Sequence, residues 1–156
     1  MNIPSFEIYT EEEAFPDLFA ACAPIIAAGG AISNPQVDCV RVLGTISLGR
    51  EVIGTGSIKQ PAEEFVTRVS NSSRVPLHGL RELGYMAVEP PHRGKRYATG
   101  IAGLLLAAVP DDEKLFSITT EDNIPMQKTL LRHDFVMQPH VWTGIVGGRW
   151  TMWLRN

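Results

Sequence analysis

The apolar positions change period several times along the chain, and each change marks an element. Phe6 to Tyr9 reads as a short first strand. Phe15, Leu18, Phe19, Cys22 and Ile26 then recur three and four residues apart, one face of a helix. Thr10, with Glu13 three residues on, has the spacing of a capping box, which satisfies two orphaned backbone donors reciprocally. Pro16 and Pro24 are expected to kink this helix or to begin new turns, and Gly29-Gly30 to end it. Cys39 to Leu48 and Glu51 to Ile58 are β-rich and flank Gly49-Arg50, the pattern of an antiparallel hairpin. Ala62 to Val69 suits a turn or two of helix, and the following Ser-Asn-Ser-Ser-Arg run reads as a loop.

Leu83 to Val88 is the next strand, bounded by Pro90-Pro91. Over residues 93–109 the period becomes helical again through Tyr97, Ile101, Leu104, Leu105 and Ala108, and Pro110 stops it. Lys114 to Thr119 is a strand. Asn123 to His133 is a helix, with Asn123 as N-cap and Pro125 in its first turn. Two short strands, near Val136 to Thr143 and Arg149 to Leu154, close the chain around Gly147-Gly148. The strand-helix-strand run from Leu83 to Thr119 implies a parallel, right-handed crossover beside an antiparallel hairpin. A mixed α/β (α+β) sheet with helices on both faces follows.

At 156 residues, a single domain spanning the whole chain is expected, since two halves would each build a poor core. Hydrophobic residues make up 44% and charged residues 20%, the balance of an ordinary globular protein. A net charge of −3 supplies no global field toward nucleic acid or an anionic membrane. No apolar run is long enough to span a bilayer, and the first residues lack a basic-then-apolar leader, so a cytoplasmic protein is expected. Cys22 and Cys39 lack metal-ligand spacing and read as reduced core thiols. His78, His133 and His140 make no metal pattern either, and no metal is expected. Trp142, Trp150 and Trp153 fall in the last strands, where core packing is the simplest reading.

Residues 83–106 carry the chemistry. They form a strand, a tight loop at Gly94 and a helix N-terminus. Backbone N–H groups at such a place, on the positive end of a helix dipole, make an anion site suited to a diphosphate. Arg93, Lys95 and Arg96 add charge and Thr99 a hydroxyl. The alternative is an ordinary strand-helix loop with solvated basic residues. Neither the G-x-x-x-x-G-K-S/T phosphate loop nor the G-x-G-x-x-G dinucleotide fingerprint occurs.

The run from Val88 to Ala98 resembles motif A of the GNAT superfamily of N-acetyltransferases, whose core is Gln/Arg-x-x-Gly-x-Gly/Ala. Arg93 matches its first position and Ala98 its last, while Arg96 stands where Gly is usual. Asn123-Ile-Pro-Met-Gln, ending at His133-Asp134-Phe135, is similar to motif B, with Asp134 in place of Gly. This resemblance implies a central mixed sheet of roughly six to seven strands. It also implies a splay between the strands near 83–88 and 114–119. The implied co-substrate is acetyl-CoA or another acyl-CoA. Its pantetheine would run along the backbone of Met86, Ala87 and Val88, and its diphosphate would lie on Arg93, Gly94, Lys95, Arg96, Tyr97, Ala98 and Thr99. Asn123 would flank the cofactor arm, and His92 is either structural or near the ribose phosphate.

The implied activity is direct acyl transfer to a primary amine. An alkyl ammonium has a pKa near ~10, so a base must take its proton. Glu82, at the start of the strand, is the leading candidate against the plainer reading of a solvated strand-end carboxylate, and Glu89 is second. Family members commonly use a motif B tyrosine as acid, and Leu130 stands there instead. Tyr85 is then the candidate acid, since Tyr97 fits the packing face of its helix; a thiolate can also leave unassisted. Two other readings remain open. One is a nucleic-acid base modifier with Lys59, Arg68, Arg74 and Arg81 as a basic rim; the other is a non-catalytic acyl-CoA-binding regulator. Residues 27–38 and 60–80 are the segments expected to choose the acceptor, and a homodimer is a family expectation.

Overall fold

The structure, a computed structural model, describes residues 3–144 and 147–156. Its elements are β1 (Ser5–Tyr9), α1 (Phe15–Ala28), β2 (Val40–Leu48), β3 (Glu51–Lys59), α2 (Glu63–Ser73), β4 (Arg81–Val88), α3 (Tyr97–Ala107), β5 (Leu115–Thr120), α4 (Ile124–Arg132), β6 (Val136–Met137), β7 (Trp142–Thr143) and β8 (Arg149–Arg155). The sheet is mixed, as expected, but has eight strands where six to seven were expected, in the order β1-β2-β3-β4-β5-β8-β6 with β7 also on β8. β4 and β5 pair in parallel, whereas β1-β2, β2-β3 and β5-β8 are antiparallel. The chain gathers into two compact units, each from two stretches: 1–59 with 83–111, and 60–82 with 112–156.

In the first unit, helices cover both faces of the β1-β2-β3-β4 strands. On one face, Phe15, Phe19, Cys22 and Ile26 of α1 pack with Val40, Leu43 and Tyr85. The other face takes α3, and a glycine pair makes room for it. Gly44 lies opposite Gly56, and a Cβ at either would stand 2.8 Å from Ile101 or 2.9 Å from Leu105. These glycines serve close packing of helix on strand. In the second unit, Val66 and Val69 of α2 pack with Leu77, Phe116 and Met152.

Three expectations are corrected. The Thr10–Glu13 capping box does not form: a short 3-10 turn spans Glu12–Ala14 and α1 begins at Phe15 without a side-chain cap. Pro16 in the first turn and Asp17 at the positive dipole end start the helix instead. Pro24 lies inside α1, which continues to Ala28. The Ser70–Ser73 stretch is the end of α2 and not a loop, because Val66, Val69 and Ser73 keep a buried face at helical spacing. Ser70 and Ser73 hydroxyls accept hydrogen bonds from the Leu77 and Val75 amides just beyond the helix. Finally, the strand expected near 136–143 is two short strands on β8, with the Gln138 amide donating to Met152 O between them.

Candidate functional site

The loop after β4 is built for close backbone exposure. Glu89 N donates to Ile53 O at 2.8 Å, the last tie to β3. A 3-10 turn over Pro90–His92 follows, and then the chain passes through Gly94 at φ +79° and Arg96 at φ +62°. Left-handed residues of this kind recur in the tight turns whose amides can bind anions. Arg96 is the N-cap of α3, and it makes no side-chain cap. The first amides of any helix lack intrahelical partners. Here that end follows the exposed run of Arg93, Gly94, Lys95 and Arg96, and the Arg96 side chain does not cap it.

Arg96 also answers a question posed by its sequence. The motif position usually held by Gly is left-handed in this chain, and the arginine adopts that backbone at a strain of about 1–2 kcal/mol. The second departure from the family pattern behaves alike. Asp134 has φ +65° just after α4. Phe135 N donates to Leu130 O and Asp134 N to Leu131 O, the paired bonds of a Schellman ending. Leu130 and Phe135 are both buried there. Leu130, where the resemblance would place an acid, is therefore a packing residue of the helix end.

The other predicted residues fall as follows. Arg93 folds back so that its Nε donates to Val88 O at 2.9 Å. Met86 is turned toward α3, its sulfur occupying the space beside Gly56. Ala87 packs against the α1-side cluster. Val88 lies against Gly54, where a Cβ would stand 2.8 Å from Ile46 Cδ1, 3.1 Å from Ala87 O and 3.3 Å from Val88 Cγ2. Tyr97 meets the Phe6 ring edge-on, centroids 6.0 Å apart, which agrees with a packing role. Ala98 and Thr99 follow in the first turn of α3, both half-buried. His92 has a buried Nδ1 without a hydrogen-bond partner among the described residues.

Tyr85 is the residue whose local geometry the sequence concealed. It has φ +54° in mid-strand and is only 8% exposed. Its hydroxyl accepts from Gln36 N at 2.9 Å, and Lys59 Nζ stands 3.9 Å from its ring centroid. Lys59 is itself buried at the end of β3, not on a solvated basic rim.

In the second unit, β4 begins with Arg81 and Glu82, which pair with Leu115 and Phe116 in the parallel ladder. Arg81 grips Glu113 with Nε and Nη2 at 2.6–3.0 Å, a bidentate pair anchoring that end. Glu82 is 3% exposed, so the reading of a solvated strand-end carboxylate is set aside. Glu89 remains half-buried. Asn123 caps α4, its Oδ1 accepting from Met126 N at 3.3 Å. His78 pairs with Glu63 at 2.7 Å on the surface, and Trp153 donates to Thr151 Oγ1. Among the described residues, no group of three His, Cys, Asp or Glu is placed to hold a metal ion. No helix among them is long and apolar enough to cross a membrane.

Solved structures share this fold across nearly the whole chain. ElaA of Escherichia coli matches with a TM-score of 0.69 and 11% identity, over 99% of this chain and 100% of its own. An acyl-CoA N-acyltransferase from Pseudomonas aeruginosa matches with a TM-score of 0.70 and 11% identity, over 99% and 100%. The diaminobutyrate acetyltransferase EctA from Paenibacillus lautus was solved with L-2,4-diaminobutyric acid and coenzyme A. It matches with a TM-score of 0.61 and 10% identity, over 98% and 95%. No family model matches the sequence, and no curated protein matches it. At these identities the likeness is one of fold, and the fold is that of the GNAT acetyltransferases.

Proposed function

We propose that the protein is an acyl-CoA-dependent N-acyltransferase that carries an acyl group, acetyl in the simplest case, from its thioester to a primary amine. The observation that carries this reading is the N-terminus of α3, entered through left-handed Gly94 and Arg96 and preceded by the exposed cations of Arg93, Lys95 and Arg96. A helix N-terminus with its dipole, and cations beside it, are what a diphosphate needs. The likeness to acyltransferases, one of them solved with coenzyme A, supports the reading at the level of fold.

Acyl-CoA would supply the activated acyl carbonyl. The chain's part is to hold it and to manage protons. The backbone of Met86, Ala87 and Val88 would align the pantetheine, and the residues from Arg93 to Thr99 the diphosphate, with Asn123 at the cofactor arm. Glu82 would take the proton that the acceptor nitrogen must lose as it bonds to the acyl carbon. A backbone N–H near Val88 would donate to the oxygen that gains charge. Collapse then breaks the carbon-sulfur bond, leaving an amide and CoA, whose thiolate needs no protein acid to depart.

Calorimetric titration with acetyl-CoA and with CoA tests the reading. Micromolar binding of both, followed by CoA thiol release when primary amines are supplied, is the expected result. Absence of binding would overturn it. Binding without release to any amine would favour the non-catalytic regulator, which the buried Leu130 in the place of an acid keeps in view.

A further inference from the structure

A left-handed backbone strains any residue that carries a Cβ, and it persists only where neighbours hold it. Tyr85 is such a residue, inside a strand. Its neighbours come from three elements of the first unit. Gln36 N, in the segment between α1 and β2, donates to its hydroxyl at 2.9 Å. Cys39 Sγ lies 3.7 Å from the same oxygen. Lys59 Nζ of β3 sits over the ring, and the Phe19 ring of α1 meets it at 5.8 Å, tilted by 47°.

The residues that follow show what this geometry sets. Met86 faces α3, Ala87 faces the α1 cluster, and Val88 faces Gly54. A local irregularity in a strand bends its path, so a change of backbone at Tyr85 would shift the residues that follow it.

We propose that Tyr85 is a positioning residue. Its hydroxyl, held by the Gln36 amide, fastens segment 31–39 to the kink in β4 and so sets the backbone of Met86 to Val88 for acyl-CoA. The proposal rests on the acyl-CoA reading above and assigns the hydroxyl to this tie in place of acid catalysis. Coupling of this kind is reciprocal. A ligand that orders Met86 to Val88 must also tighten the Gln36 tie, and the tied segment belongs to the region expected to choose the acceptor. Acyl-CoA binding would therefore ready the acceptor wall.

Hydrogen–deuterium exchange resolved to the Gln36 amide, with and without acetyl-CoA, tests the coupling in the unaltered protein. Acetyl-CoA is expected to slow exchange at Gln36. Tyr85→Phe keeps the ring contacts and removes only the hydroxyl. It is expected to speed that exchange about tenfold and to raise the acetyl-CoA Kd by about three- to tenfold. A merely structural tyrosine would lower Tm without ligand-dependent protection at Gln36. If acetyl-CoA binds the unaltered protein but leaves Gln36 exchange unchanged, or binds Tyr85→Phe equally well, the positioning role is overturned and the acyl-CoA reading stands. If the unaltered protein binds no acetyl-CoA, both fall together.

Discussion

Arg93 turns back onto the strand that precedes it, its Nε donating to Val88 O at 2.9 Å. One side chain thus joins the end of β4 to the start of the loop proposed to hold the diphosphate. Arg93→Glu removes that bond and puts a negative charge beside the proposed diphosphate. Loss of a charge-assisted hydrogen bond is about 1.5–3 kcal/mol, so acetyl-CoA affinity should fall roughly ten- to hundredfold. Calorimetry of this variant is the check, and unchanged affinity would remove the diphosphate from this loop.

Arg96 and Asp134 both hold left-handed backbones where the family pattern has glycine. Glycine removes that strain and returns part of the gain as freedom in the unfolded chain, leaving a net stabilisation of about 0.5–1 kcal/mol. Asp134→Gly should raise stability with no change in acetyl-CoA affinity. Arg96→Gly should also raise stability but weaken acetyl-CoA several-fold, because a cation leaves the loop. Urea unfolding and calorimetry on both variants separate the effects. A destabilised Asp134→Gly protein would mean that the carboxylate matters more than the backbone.

The order of strands and helices was legible because packing follows period. Tyr97, Ile101 and Leu105 mark α3, and the Gly49-Arg50 turn marks the hairpin. Local polar chemistry was less legible. Thr10 and Glu13 have capping spacing, but Phe15 and Pro16 start the helix later. Ser70 to Ser73 look like loop residues, but the buried valines behind them keep the chain helical. At the site, Gly94 and the basic cluster were visible in the sequence. The left-handed Tyr85 was not, since nothing in its neighbours along the chain signals contacts from Gln36 and Lys59. Nor did a strand-end position reveal that Glu82 is buried.

The burial of Cys22 should show both in the pH dependence of stability and in labelling. Burial pushes the Cys22 thiol above its ordinary value, only partly offset by a hydrogen bond with Thr55. Once pH passes the unfolded thiol's ~8.5, the unfolded chain loses this proton before the folded chain does. Stability contributed by the protonated Cys22 is therefore complete below ~8.5 and declines above it, by at most about 1.4 kcal/mol per pH unit. Iodoacetamide at neutral pH should label the half-buried Cys39 and spare Cys22 until the protein unfolds. Equal labelling of both thiols in the folded protein would contradict this burial.

Glu82 offers the most direct test of chemistry apart from binding. It lies on β4 four residues before Met86, and its side chain is shielded from solvent. Glu82→Gln keeps the shape and removes the ability to accept a proton. A placed general base is typically worth about 10²–10⁴-fold. Once an amine acceptor has been found, turnover should fall at least about 100-fold. The acetyl-CoA Kd should stay within about twofold, because the pantetheine and diphosphate contacts are assigned to other residues. Measuring both quantities on one preparation also guards against misfolding, since a collapsed variant would lose binding as well as rate. Full activity in Glu82→Gln would move the base elsewhere, with half-buried Glu89 the next carboxylate to replace.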